Sequence, residues 1–303
     1  MTLTPQESTA AANEVFGTHP GFRALHAKGI LFRGTFTATA EAARLTRAGH
    51  MQGEPVQTTV RFSNGFGNPE APDYTPDVRG LAVKMYLPDG SRTDIVAQTA
   101  PRFPTHTPEG FIELLRAQKP GPAMAWKMPL FLARHPEAIP GLPINLRALR
   151  PPESYATCAY YAVHAFRFLD AEGGARYVRY TWHPEAGDAR IGPREAKRRG
   201  KNYLQEEIVK RVASGAVRFR LELQVAAPGD NVDDPASVWP KERHRVDAGV
   251  LEITEPETER EKDGDVLVFD PTRVVDGIEL SNDPVLRFRH DAYSDSVARR
   301  TGA

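Results

Sequence analysis

Val56-Gln-Thr-Thr-Val-Arg-Phe-Ser-Asn64 and, after a cluster of Gly, Pro, Asn and Asp, Asp77-Val-Arg-Gly-Leu-Ala-Val-Lys-Met-Tyr86 are the stretches on which the fold turns. Both are β-rich runs bounded by turn residues, which predicts strands over Val56 to Asn64 and Gly80 to Leu87. Arg61 and Ser63 are two residues apart, so a strand points both to one face. Working outward, runs of the same kind occupy Arg33 to Thr39 and Asp94 to Thr99. Beyond a helical stretch from Thr107 to Lys119 and another around Ala123 to Arg134, strand patterns resume at Ala156 to Leu169, Tyr177 to His183, Val217 to Val225 and Gly249 to Ile253. The count reaches about eight, the number at which a closed antiparallel barrel is just filled by side chains or holds one ligand.

The chain has 303 residues with 39 basic and 39 acidic side chains. No excess charge draws it toward nucleic acid or an anionic membrane, and small-molecule partners are expected. The basic run Arg194-Glu-Ala-Lys-Arg-Arg-Gly-Lys201 lies in a predicted exposed helix from Pro193 to Ser214; acids follow it and no stacking aromatics interrupt it, so it reads as a solvated face. No composition break divides one core from a second, and residues 1–303 are expected to form a single domain. Cys158 sits in an apolar run and reads as a small buried hydrophobe. The N-terminus lacks the pattern of a secretory leader and no segment is apolar for long enough to span a bilayer, so a cytoplasmic protein is expected.

Two further segments carry chemistry. Thr4-Pro5 through Phe16 is a capped helix preceding Arg23-Ala-Leu-His-Ala-Lys-Gly29, where His26 stands alone between small apolar residues. From Asp283-Pro284 to Arg300 a second helix is predicted, and its Arg289, Tyr293 and Arg300 at i, i+4 and i+11 share roughly one face. An adjacent guanidinium favours a phenolate. On spacing alone the plainer reading is a surface helix with ordinary salt bridges. A hydroxyl such as that of Ser63 could fix an imidazole's tautomer.

Taken in order, these strings resemble the haem-binding signatures of catalases and their shorter catalase-related relatives. Arg23 to Gly29 is similar to the stretch around the distal histidine, and Val60 to Ser63 to Val-Arg-Phe-Ser. Asp77 to Tyr86 is similar to Asp-Pro-Arg-Gly-Phe-Ala-Val-Lys-Phe-Tyr, and Arg289 to Tyr293 to Arg-Leu-Phe-Ala-Tyr. Ala162-Val-His-Ala-Phe166 and Val238-Trp-Pro240 fall where the family has similar strings. The resemblance implies an α+β fold, a catalase-type closed antiparallel eight-stranded β-barrel with surrounding helices, without the long N-terminal arm and the C-terminal flavodoxin-like region.

It further implies haem b as the iron cofactor, Tyr293 as the metal ligand with Arg289 as its charge partner, and His26 with Ser63 as the distal catalytic pair. Arg23, Arg61 and Arg300 would meet the haem propionates, and Phe111 would line the distal pocket. Where typical catalases read Val-Gly-Asn-Asn-Thr-Pro-Ile-Phe-Phe, this chain reads Val96-Ala-Gln-Thr-Ala-Pro-Arg-Phe-Pro104. The distal asparagine is gone, and Gln98 is the nearest amide. Displacing a catalytic group by about 1 Å can cost roughly a hundredfold. The expected activity is therefore peroxidase, on hydrogen peroxide or organic hydroperoxides with a small organic reductant and weak or no dismutation. True catalase and an allene-oxide-synthase-like lyase are the alternatives, and a homo-oligomer is expected by family analogy.

Overall fold

The computed structural model describes residues 3–259, 261–262 and 265–301, with the backbone alone for 261–262, 265–266 and 294–301. Its strands are β1 (Gly29–Ala38), β2 (Val56–Asn64), β3 (Arg79–Tyr86), β4 (Arg92–Gln98), β5 (Tyr160–Tyr161), β6 (Phe166–Leu169), β7 (Ala175–Pro184), β8 (Val217–Val225), β9 (Arg245–Glu257), β10 (Glu261–Lys262), β11 (Asp265–Val266) and β12 (Ile278–Leu280). Antiparallel pairing runs β7-β5-β4-β3-β2-β1-β9-β8, and β8 pairs back to β7, so eight strands close into a barrel. Beyond this ring, β6 and β12 extend the sheet from β7, and β10 pairs with β11 as a separate hairpin.

Strand alternation fills the barrel. Phe32, Phe36, Val60, Phe62, Leu81 and Val83 point inward from the first three strands and are fully buried. Trp182 and Phe219 meet them from the far wall, with the Phe36 and Trp182 rings edge-on at 5.9 Å. Each such side chain stabilises the fold by about 1.5–3 kcal/mol through burial. The interior is thus a packed core with no room for a large ligand, which leaves the outer face for any cofactor. On β2 that outer face is also buried, at Thr59, Arg61 and Ser63. A strand covered on both faces must have another layer outside it.

The segment leading into β1 supplies part of that layer, with Arg61 bonded to His26 O, and the helices of the fold are α1 (Pro5–Phe16), α2 (Ala40–Ala43), α3 (Pro108–Ala117), α4 (Met124–Arg134), α5 (Leu142–Ala148), α6 (Pro193–Arg199), α7 (Tyr203–Ser214) and α8 (Pro284–Thr301). Helix α1 carries the expected capping box, with Thr4 Oγ1 accepting from Glu7 N and the Glu7 carboxylate accepting from Thr4 N. It packs against α3 and α8.

Three sequence expectations change. The predicted strand from Ala156 to Leu169 is broken, because Ser154 caps a 3-10 turn at Tyr155–Thr157 and leaves only β5 and β6. The predicted helix from Pro193 to Ser214 is two helices, since Gly200 turns left-handed at φ 108° between them. Nor is its second half merely exposed: Tyr203, Leu204, Ile208 and Val212 are buried against the barrel. Helix α5 has no counterpart in the sequence reading. As expected, Cys158 is buried, and burial pushes its thiol up to about 12, which makes it inert.

His50, in the 3-10 turn Gly49–Met51, is 1% exposed and its Nδ1 has no hydrogen-bond partner. Burial holds the imidazole down to about 4. The unfolded chain takes up this proton below pH ~6.5 and the folded chain does not, so folding stability is lost as pH falls through that window. Between pH 7 and 5 the protein should lose about 2 kcal/mol more than its His50→Phe variant. Urea titrations of both at the two pH values measure this difference, and parallel losses would contradict it.

Candidate active site

Across the outer face of the sheet, Gly29, Ser63, Gly80, Gln98 and Tyr161 stand opposite one another on β1 to β5. Cross-strand partners share a face, so their side chains rise from one row at strand spacings of about 4.8 Å. His26 closes over this row. Its Nδ1 lies 3.0 Å from Ser63 Oγ. A Cβ on Gly80 would come within 2.6 Å of Ser63 Oγ and 2.9 Å of His26 Nδ1, so the ring fits only because residue 80 has no side chain.

His26 is also the one non-glycine residue with positive φ, 54°, among the described residues. A left-handed histidine persists only where the surroundings over-determine it. Here His26 N donates to Gly65 O at 2.9 Å and Ala27 N to Phe66 O at 3.0 Å. Arg61 Nη2 donates to His26 O at 2.7 Å. The Gly65–Phe66 loop is itself held by buried Asp77, whose carboxylate accepts from Phe66 N. Sequence reasoning assigned Arg61 to a cofactor carboxylate; the structure adds support of the histidine backbone.

Burial first, then the positive charges of Arg61, Arg289 and Arg23, lower the His26 imidazole to about 3. It is neutral at physiological pH. With the hydrogen on Nδ1 donated to Ser63 Oγ, the Nε2 lone pair is left to accept a proton.

Helix α8, which packs against α1 and α3, carries Arg289. Arg289 Nη2 donates to the Tyr293 phenolic oxygen at 2.6 Å and Nη1 to His164 Nε2 at 3.1 Å. His164 Nδ1 in turn donates to Asp283 Oδ2 at 2.6 Å, and Asp283 Oδ1 accepts from Val285 N and Leu286 N as the cap of α8. His164 is buried and its pKa lowered, chiefly by that burial, so it accepts from Arg289 as a neutral ring. The carboxylate–imidazole–guanidinium chain fixes Arg289 against the phenol. His164 and Asp283 were quoted in the sequence only as part of a family string and as a helix start. Their pairing joins residues 119 positions apart and has no local signal.

Gln98 is half-buried and lies on the same face as Ser63, across the gap left by Gly80. Phe111, on α3, is half-buried with its ring 5.0 Å from that of Phe103, and it packs in a cluster with Leu25, next to His26. Arg23 is half-buried and donates to Leu267 O at 2.8 Å. The side chain of Arg300 lies outside the described residues.

The residues fit a haem. The outer wall has a glycine cradle at residue 80, and Ala82 and Val96, beside it on the same face, keep part of their surface open. A phenol held by a guanidinium offers one hard oxygen donor, which suits ferric iron whose other ligands come from a macrocycle. Gly80→Ala should disturb this arrangement selectively. The barrel is expected to persist with about 1–3 kcal/mol of overpacking, while a His26 shift approaching 1 Å should lower peroxide turnover on the order of a hundredfold. Circular dichroism with steady-state kinetics checks it; full activity in a folded variant would show that the cradle is not needed.

The Catalase family model matches residues 21–303. The chain is 48% identical over 300 residues to a catalase-related peroxidase of Mycolicibacterium paratuberculosis, covering 99% of this chain and 96% of that one. It is 32% identical over 303 residues to a catalase-related peroxidase of Synechococcus elongatus, covering 99% and 89%. Catalase isozyme 2 of Solanum tuberosum is 29% identical over 298 residues, with 92% of this chain spanning 60% of that one. A fungal catalase crystal structure superposes with a TM-score of 0.82 at 25% identity, over 98% of this chain and 62% of the other. The chain therefore belongs to the catalase family. It spans nearly the full length of the two catalase-related peroxidases and about three-fifths of the catalases.

Proposed function

We propose that the whole chain, as one domain, is a haem-dependent peroxidase with weak or no dismutase activity. A haem peroxidase function follows from the family and from the two relatives named catalase-related peroxidase, and catalase is not favoured over it. Our reading of the site is that haem b binds between the outer face of β1 to β4 and α8. Tyr293 would hold the iron, and Arg23, Arg61 and Arg300 would meet the propionates. When bound, the haem supplies the iron at which the peroxide O–O bond is cleaved and through which electrons pass from a small organic donor.

The chain's own residues then divide the proton work. His26 Nε2 takes the proton from the inner peroxide oxygen, and Ser63 holds the ring in the accepting tautomer. A base as weak as His26 does not keep the proton and returns it to the leaving oxygen, which departs as water or an alcohol. Gln98 offers an amide hydrogen bond from across the Gly80 gap, and Phe111 and Phe103 exclude water from one side.

The observation that carries this reading is Arg289. It donates to the Tyr293 phenol at 2.6 Å, and its charge is among those that lower the His26 imidazole, which supports placing ligand and acid/base group in one site. The test is the purified, haem-loaded protein mixed with hydrogen peroxide and a phenolic or diammonium dye. Dye oxidation with little oxygen release is expected; oxygen release at the rate of an ordinary catalase would overturn it. Dye-free consumption of a lipid hydroperoxide to an epoxide would instead indicate a lyase.

A further inference from the structure

We propose that Arg102 is a specificity-determining residue that receives the carboxylate of an organic hydroperoxide with an extended apolar body. The inference rests on the peroxidase reading and names a substrate class for it. Arg102 occupies the segment where the chain departs from typical catalases, which have isoleucine there. It is half-buried, yet its guanidinium makes no hydrogen bond or ion pair with any described residue. Burial alone lowers its pKa, with no acid to offset it.

The surrounding groups explain why the cation stays unpaired. Asp234 is engaged by His106 at 2.7 Å and by Ala236 N. Arg179, which repels Arg102, donates to Asp234 O and Ser237 O. From 121 to 150 the only acid is Glu137, bonded to His135, against Lys127, Arg134, Arg147 and Arg150. A partly desolvated guanidinium without an anion is costly, and a ligand carboxylate offsets that cost through charge-assisted hydrogen bonds.

Position and surface chemistry narrow the ligand. Arg102 directly precedes Phe103, whose ring lies 5.0 Å from that of Phe111 and 6.3 Å from that of His164, so its backbone stands beside the proposed distal pocket. Its stem packs against Gly141, and Asn145 Nδ2 donates to its carbonyl, which sets it at the start of α5. Around that helix Ile139, Ile144 and Leu146 are 51%, 48% and 55% exposed. On neighbouring α4, Trp126 is 59% exposed. A basic segment with exposed apolar side chains, packed on the Arg102 stem at Gly141, matches an amphiphilic anion. Hydrogen peroxide has no carboxylate and makes no use of it.

The test compares the haem-loaded protein with Arg102→Leu, which keeps the apolar stem, and Arg102→Lys. Calorimetry should show laurate binding about tenfold more tightly than dodecanol. That advantage should disappear in Arg102→Leu, fall with added salt and return in part in Arg102→Lys. In turnover, Arg102→Leu should raise KM about tenfold for linoleic acid hydroperoxide, and leave its methyl ester and hydrogen peroxide unchanged. Equal binding of laurate and dodecanol, or equal losses for acid and ester, would overturn the proposal. So would a KM effect confined to an anionic phenolic donor, which would assign the residue to the reductant. If the protein oxidises no donor but laurate still binds through Arg102, the peroxidase reading fails and the anion site stands.

Discussion

Replacing His26 by alanine is expected to lower peroxide turnover by about two to four orders of magnitude, with haem still bound. The size follows from removing the proton acceptor itself, about 3–5 kcal/mol of transition-state stabilisation. Ser63→Ala should cost only several-fold, because it removes one hydrogen bond worth about 1 kcal/mol and leaves the ring held by its strained backbone. The pH profile separates the two roles. Since His26 is already neutral far below pH 6, turnover per neutral imidazole should be flat from pH 5 to 8 in the wild-type protein. Stopped-flow consumption of hydrogen peroxide, with haem content read by absorbance, checks both variants. A His26→Ala protein that keeps haem and wild-type turnover would remove His26 from the mechanism.

Tyr293→Phe should fail on the other side of the haem. Removing only an outer partner of a metal ligand commonly costs about 10–100-fold in affinity or activity. Loss of the ligand oxygen should exceed that, so the variant is expected to retain haem more than about 100-fold more weakly or with a displaced absorption band. Arg289→Gln should fall within the ~10–100-fold range, because the phenol remains while its guanidinium partner and the link to His164 are lost. Equilibrium haem titration followed by absorbance distinguishes them. Identical haem affinity and spectrum in Tyr293→Phe would refute the ligand assignment, whatever the activity.

Much of this candidate site is legible in the sequence, because its parts are local. The helix with Arg289 and Tyr293 at i and i+4 does bring guanidinium and phenol into contact. The alternation of Arg61 and Ser63 does put both on one face of β2. Elements went astray where a single capping or left-handed residue overrode a longer pattern, as Ser154 did in the run up to Leu169 and Gly200 in the run from Pro193. Gln98 illustrates the boundary between the two levels. Its identity as a substitute amide is visible in sequence, but its alignment with Ser63 across Gly80 depends on the register of three strands.

The amino-acid sequence by itself determined the eight-strand pattern and the capped helices at either end, and through its family resemblance singled out Tyr293 and His26 as candidates for iron ligand and acid/base group. Each of these follows from periodicity, turn chemistry or an ordered string of residues. Only the tertiary structure decided that Gly80 must lack a side chain, that His26 sits left-handed on Gly65 and Arg61, and that Asp283 and His164 fix Arg289. Among the described residues, it alone left Arg102 without an acid. These are contacts between segments distant in sequence, created when the barrel closes, and no local preference of the chain encodes them.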